Sequence, residues 1–215
     1  MDPLQRDLAG AARAHRALEA TIAELTDDQA REPSLLPGWS RGHVLTHIAR
    51  NADSFTRMVC GAQRGEMLDQ YPGGPEQRAS DIEAGSGRAA AELITDIRRS
   101  NAELEAAWAA TDADTWQRQG IATVGPVAID DLPFRRWREA GVHHADLGLG
   151  YRWSDWPADY VRLELDRMTM MWNSRLPMGM TGLPAAALAV PDHHRLAWLM
   201  GRADIDGVEP AGLWR

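Results

Sequence analysis

Apolar residues recur at alternating spacings of three and four along Leu4, Leu8, Ala11, His15, Leu18, Ile22 and Leu25. That period gives a helix one buried face and predicts a first helix over residues 2–26. The stretch "TDDQAREPSLLPGW" breaks the pattern with Pro33 and Pro37. Ser40 is a natural N-cap for a second helix over about 41–64, whose core stripe is Val44, Ile48, Phe55 and Val59, with Asn51 in the middle. Residues 65–87, "GEMLDQYPGGPEQRASDIEAGSG", are rich in Gly and Pro and read as a long connection, of a kind more often functional than idle. A third helix follows over about 88–111, with Leu93, Ile97, Leu104 and Trp108 on one face. "GIATVGPVAIDDLP" reads as a turn-rich connection with room for a short strand. Asp131, with Pro133 in the first turn, starts a fourth helix over about 132–149.

Four amphipathic helices of this length predict a mainly α protein built on a four-helix bundle, residues 1–150. After Gly150 the pattern changes. "YRWSDWPADY" reads as a linker into a helix over about 157–174, "LPMGMTGLPAAALAV" as a loop leading into a short strand, and "DHHRLAWLMGR" as a short final helix. Residues 151–215 are therefore expected to form a small α+β domain.

Composition narrows the function. With 44% hydrophobic and 25% charged residues, the 215-residue chain has the make-up of a soluble globular protein. No apolar run approaches the roughly 20 residues of a membrane span, and no secretion signal opens the chain, so the cytoplasm is the expected location and a membrane partner is not expected. All 23 basic residues are Arg, which fits a GC-rich genome, and the net charge of −8 argues against nucleic-acid binding. A single cysteine, Cys60, excludes an internal disulfide and reads as a small buried apolar residue.

The seven histidines hold the candidate chemistry. In "REAGVHHADLG", Glu139 and His143 are four apart and stack on one helix face, whereas His144 points about 100° away. A bundle builds metal sites from facing helices, so a third ligand is sought on the second helix, where His43 and His47 are available. His47 lies nearer the core stripe and is favoured. Two His, one Glu and an open position are the pattern of a catalytic zinc site. From spacing alone, however, an ordinary helix face outranks a metal pair. A self-contained His43–His47 pair ranks lower still, because no Glu follows the first His as in H-E-x-x-H. His15 reads as a core histidine, His193 and His194 as surface or capping residues, and Arg202 as a favourable charge at a helix C-terminus.

Three blocks, "LLPGWSRGHVLTHIARNAD", "PEQRASDIEAGSGR" and "FRRWREAGVHHADLG", appear in order across most of residues 34–148. Together they resemble the mycothiol-dependent maleylpyruvate isomerases, members of the wider DinB-like group of metal-binding bundles. The C-terminal "HHRLAWLMGR" is similar to the end of the small sterol-carrier-like domain in these isomerases. The resemblance implies that His47, Glu139 and His143 are the zinc ligands, that Arg202 is an arginine needed for turnover and binds substrate, and that Arg78, in the long connection, contacts an anionic group.

The implied cofactors are a zinc or other divalent ion and mycothiol, and the implied reaction is the cis–trans isomerisation of maleylpyruvate to fumarylpyruvate. Reversible addition of a thiolate turns the double bond into a rotatable single bond, with the nucleophile lent by the cofactor. Zinc would depress the thiol pKa, while Arg202 would pair with a substrate carboxylate and steady the enolate. Two other readings stand beside this one: a mycothiol S-transferase acting on another electrophile, and a non-catalytic bundle that binds a small molecule. The expected partners are small molecules, with the chain a monomer or a small homo-oligomer.

Overall fold

The computed structural model describes residues 2–175 and 182–212. The chain forms two compact units, Met1–Gly150 and Tyr151–Arg215. In the first, α1 (Pro3–Thr21), α2 (Asp27–Arg31), α3 (Arg41–Gln63), α4 (Gly74–Ser86), α5 (Ala90–Ala109) and α6 (Ala113–Trp116) precede a hairpin. The hairpin pairs β1 (Gln119–Ala122) with β2 (Gly125–Ala128), antiparallel, and α7 (Leu132–Asp146) closes the unit. In the second unit lie α8 (Ala158–Ser174), α9 (Ala185–Ala189) and α10 (Asp192–Leu199). Among the described residues no helix is long and apolar enough to cross a membrane.

The four long helices α1, α3, α5 and α7 form the expected bundle. Helix α3 packs on α5, α7 and α4, and α1 packs on α7 and α5. The periodic residues make the core: Leu18 of α1 and Ile22 at its C-cap, Val44, Leu45 and Ile48 of α3, and Leu93 and Ile97 of α5 are all buried. Gly10 lets α1 approach α7 closely, since a Cβ there would sit 2.2 Å from the Trp137 ring. Its cost as a mid-helix glycine, about 1 kcal/mol, is set against that contact.

Local chemistry decides where the helices start and stop. Helix α1 ends at Thr21, short of the expected residue 26, and Thr26 instead caps α2 by accepting from the Gln29 N–H. Helix α3 starts where Ser40 places it, through a capping box with His43. The connection expected over 65–87 contains helix α4. Its apolar signal is weak, because Ile82 alone among its residues is buried, but Pro75 in the first turn suits a helix start. Where "LPMGMTGLPAAALAV" reads as a loop leading into a short strand, Ala185–Ala189 is helical. A run of alanines following Pro184 favours that outcome. Residues 176–181 of the same stretch lie outside the described residues. Among the described residues of the second unit there is no strand, only an isolated bridge between Ile205 and Val208.

One buried side chain ties the whole bundle together. Arg136 of α7 is 0% exposed. Its guanidinium donates to His15 Nε2 of α1 (2.9 Å), to the Ile48 carbonyl (2.9 Å) and Asn51 Oδ1 (2.8 Å) of α3, and to Asn101 Oδ1 of α5 (2.8 Å). His15 passes on through Nδ1 to Glu105 Oε1 at 2.7 Å, and Asn101 donates to Glu19. Burial pulls the guanidinium down to about 10, so it stays charged at neutral pH.

Candidate metal centre

Glu139 and His143 lie one turn apart on α7, and α3 brings His47 opposite them. One ligand atom from each of the three lies within 4.8 Å of the others. Glu139 Oε2 is 3.1 Å from His47 Nε2 and 3.6 Å from His143 Nε2. The two imidazoles meet edge to face, with centroids 4.5 Å apart. His43 does not join them. Its Nδ1 is held by Ser40 at the start of α3, and its Nε2 faces Glu83. The capping box, invisible in a face-of-helix argument, thus separates the two candidates on α3.

The surroundings orient the cluster. Asp146, buried one turn beyond His143, lies 2.8 Å from its Nδ1 and turns Nε2 towards the cluster. Arg78 of α4 reaches the other imidazole, with Nη2 3.0 Å from His47 Nδ1. Trp39 packs beside His47 and His43, at 5.7 and 6.1 Å between ring centroids. Its loop is fixed by the Leu35 N–H, which donates to the Asp146 carbonyl, and by Ser34, which bonds the Trp39 carbonyl.

The charge states suit a cation. Burial, seconded by the neighbouring His143, pulls His47 down to about 4 against the opposing pull of Glu139. Burial alone would raise the Glu139 carboxyl, but the His47 hydrogen bond and the charges of His143, His47 and Arg138 outweigh it and bring it to about 2. At neutral pH, therefore, the His47 ring is neutral and Glu139 is charged. Two imidazole nitrogens and one carboxylate oxygen form a donor set suited to zinc or a similar borderline divalent ion, with room for a further ligand.

A pH dependence follows. His15 is also pulled down by burial to about 4, from an ordinary value of 6.5. Between those limits the unfolded chain binds protons that folded His15 and His47 refuse. The stability of the metal-free protein is expected to fall as pH drops through this window, by up to about 1.4 kcal/mol per pH unit for each imidazole. Urea midpoints measured from pH 7 to pH 5 check this; a flat profile contradicts buried neutral imidazoles.

The remaining candidates are distributed as follows. His15 is a core histidine in the Arg136 network, and His144 turns away to Thr21 Oγ1 at 2.8 Å. His193 and His194 of α10 contact the carbonyls of Trp156 and Asp204. Cys60 is partly exposed rather than buried as expected, because it sits at the edge of the α3 core stripe. Arg202 belongs to the second unit, just past α10, where it donates to the Met200 carbonyl at 2.6 Å. Arg136 and Asp146 were not singled out in the sequence. Asp146 carried a usable signal, since three residues beyond His143 on a helix is the same face.

The comparisons agree with this architecture. A family model, "Mycothiol maleylpyruvate isomerase N-terminal domain", matches residues 11–148. Among solved structures, a mycothiol-dependent maleylpyruvate isomerase superposes with a TM-score of 0.84 at 24% identity, covering 94% of this chain and 90% of the other. A point mutant of such an isomerase superposes with a TM-score of 0.83 at the same identity and coverage. No curated protein matches. From the match over 11–148 and the fold it describes, the chain belongs to the mycothiol maleylpyruvate isomerase N-terminal domain family.

Proposed function

We propose that this protein is a divalent-metal- and mycothiol-dependent isomerase that converts maleylpyruvate to fumarylpyruvate. The observation that carries the reading is the convergence of His47, Glu139 and His143 within the helical domain that defines the family. In this assignment residues 1–150 are the metal-binding bundle, and residues 151–215 are a smaller domain that contains Arg202.

A divalent ion at the cluster, zinc being the simplest choice, supplies the Lewis acidity that keeps a thiol ionised at neutral pH. The protein's own groups do the rest. His47 and His143 present ring nitrogens, while the single charge of Glu139 leaves the site net positive and attractive to an anionic sulfur. Trp39 shields one side of the two α3 imidazoles from water. Arg78, next to His47, binds an anionic group of the ligand. Arg202 pairs with a substrate carboxylate and steadies the negative charge that develops next to the carbonyl. Support for Arg202 comes from the resemblance of the "WLMGR" stretch to the family's C-terminal end.

Purified protein incubated with zinc, mycothiol and maleylpyruvate tests the reading. Fumarylpyruvate formed with no net loss of thiol is the expected result, while a stable thioether would indicate an S-transferase. Absence of stoichiometric divalent ion would point to a non-catalytic bundle. In the same assay Arg202→Ala is expected to retain its metal and lose turnover; unchanged turnover would return Arg202 to a structural role at the end of α10.

A further inference from the structure

The two imidazoles of the cluster have opposite partners on their outer nitrogens. A carboxylate accepts, so the 2.8 Å contact with Asp146 places a proton on His143 Nδ1, and in a neutral ring the Nε2 lone pair then faces the cluster. A guanidinium only donates, so the 3.0 Å contact with Arg78 makes His47 Nδ1 the acceptor. In a neutral ring the proton then sits on Nε2, aimed at Glu139 Oε2 3.1 Å away. His143 is thus arranged for a cation, whereas His47 carries a proton on the atom that would bind one.

We infer that Arg78 is a metal-displaced arm: a divalent ion at the cluster drives it off His47 and frees it to take a carboxylate of the ligand. The inference rests on the proposed metal site. For His47 to bind through Nε2, its proton must move to Nδ1, and the ring stays neutral throughout. An N–H at Nδ1 cannot face the N–H of Arg78. A dication nearby repels the guanidinium as well. Helix α4 is suited to release its arm, because Ile82 is its one buried residue and Arg78 is half-exposed. The Tyr71 ring already faces the guanidinium, 5.9 Å from Arg78 Cζ, so the cation keeps one favourable contact when its bond to His47 is lost. Metal loading and anion binding are thereby coupled, each favouring the other.

Zinc affinity, measured by competition with a chromophoric chelator, tests the first half. Arg78→Met and Arg78→Gln are expected to bind zinc about tenfold more tightly than wild type, and Arg78→Lys, which keeps the charge, about as tightly. An unchanged or weakened affinity in both neutral variants overturns the inference and leaves the metal site standing. A wild-type protein that binds no divalent ion overturns both. Maleate, a cis-dicarboxylate, tests the second half by thermal shift. It is expected to raise the melting temperature of the zinc-loaded wild type more than that of the metal-free protein, and the zinc-dependent part should vanish in Arg78→Met. Equal shifts with and without zinc, or a zinc-dependent shift retained in the variant, would mean that no arm is released.

Discussion

Replacing Arg136 with methionine is expected to destabilise the helical unit by about 3–5 kcal/mol, the sum of several buried acceptors left unpaired at roughly 1–3 kcal/mol each. Methionine fills much of the same volume, so the loss comes from stranded acceptors rather than from a cavity. His15 Nε2, Asn51 Oδ1 and Asn101 Oδ1 lose this donor inside the bundle, while the Ile48 carbonyl, inside α3, loses only a second one. A loss of this size is a large share of a typical domain stability of about 5–15 kcal/mol. Lysine at 136 is expected to rescue little, because an ammonium cannot reproduce the planar fork that reaches three helices at once. Urea unfolding gives the comparison directly. A change below about 1 kcal/mol in Arg136→Met would place the network among those that a hydrophobic replacement serves equally well.

Removing a ligand of the proposed metal centre should have the largest effect on activity. In His47→Ala and Glu139→Ala, zinc content and isomerase turnover are expected to fall together. Affinity should drop by more than the roughly 10–100-fold that loss of an orienting partner outside the ligand set costs. Glu139→Ala has a second consequence, because it also removes a carboxylate that helps to keep Arg136 charged. A thermal melt of the metal-free variant therefore belongs beside the metal titration, so that unfolding is not mistaken for lost coordination. Full zinc occupancy in either variant would strike that residue from the ligand set.

Most of the bundle was legible because its four long helices each bury a continuous stripe, and a stripe is what periodicity detects. Ser40 marked the start of α3 because capping is local chemistry. Helix α4 escaped for the opposite reason: with one buried residue it has almost no stripe, and its glycines and proline look like a loop. The cluster proposed to hold the metal was reachable in outline, since a four-residue spacing and a facing helix leave few choices. The core stripe of α3 already favoured His47 over His43, and the hydrogen bond that commits His43 to the helix cap supplies the physical reason. Arg136 could not be found from residue type, because an arginine in a polar position ordinarily faces water. Its acceptors come from three other helices, so its burial is a property of the assembled bundle. The short hairpin and helix α9 were misplaced or only hinted at, because elements of four or five residues carry too few positions for a period to emerge.

The Arg136 network also bears on how the bundle is put together. A collapsed state with only two or three of the four helices docked would hold a cation in an apolar interior with some of its acceptors still missing. Such a state must either leave the guanidinium in water, and so keep α7 undocked, or bear the desolvation cost uncompensated. Partly assembled bundles are therefore disfavoured relative to both the open chain and the finished one. The side chain that cross-links the native helices thus acts as a cooperativity device, penalising half-built forms more than it stabilises the complete one.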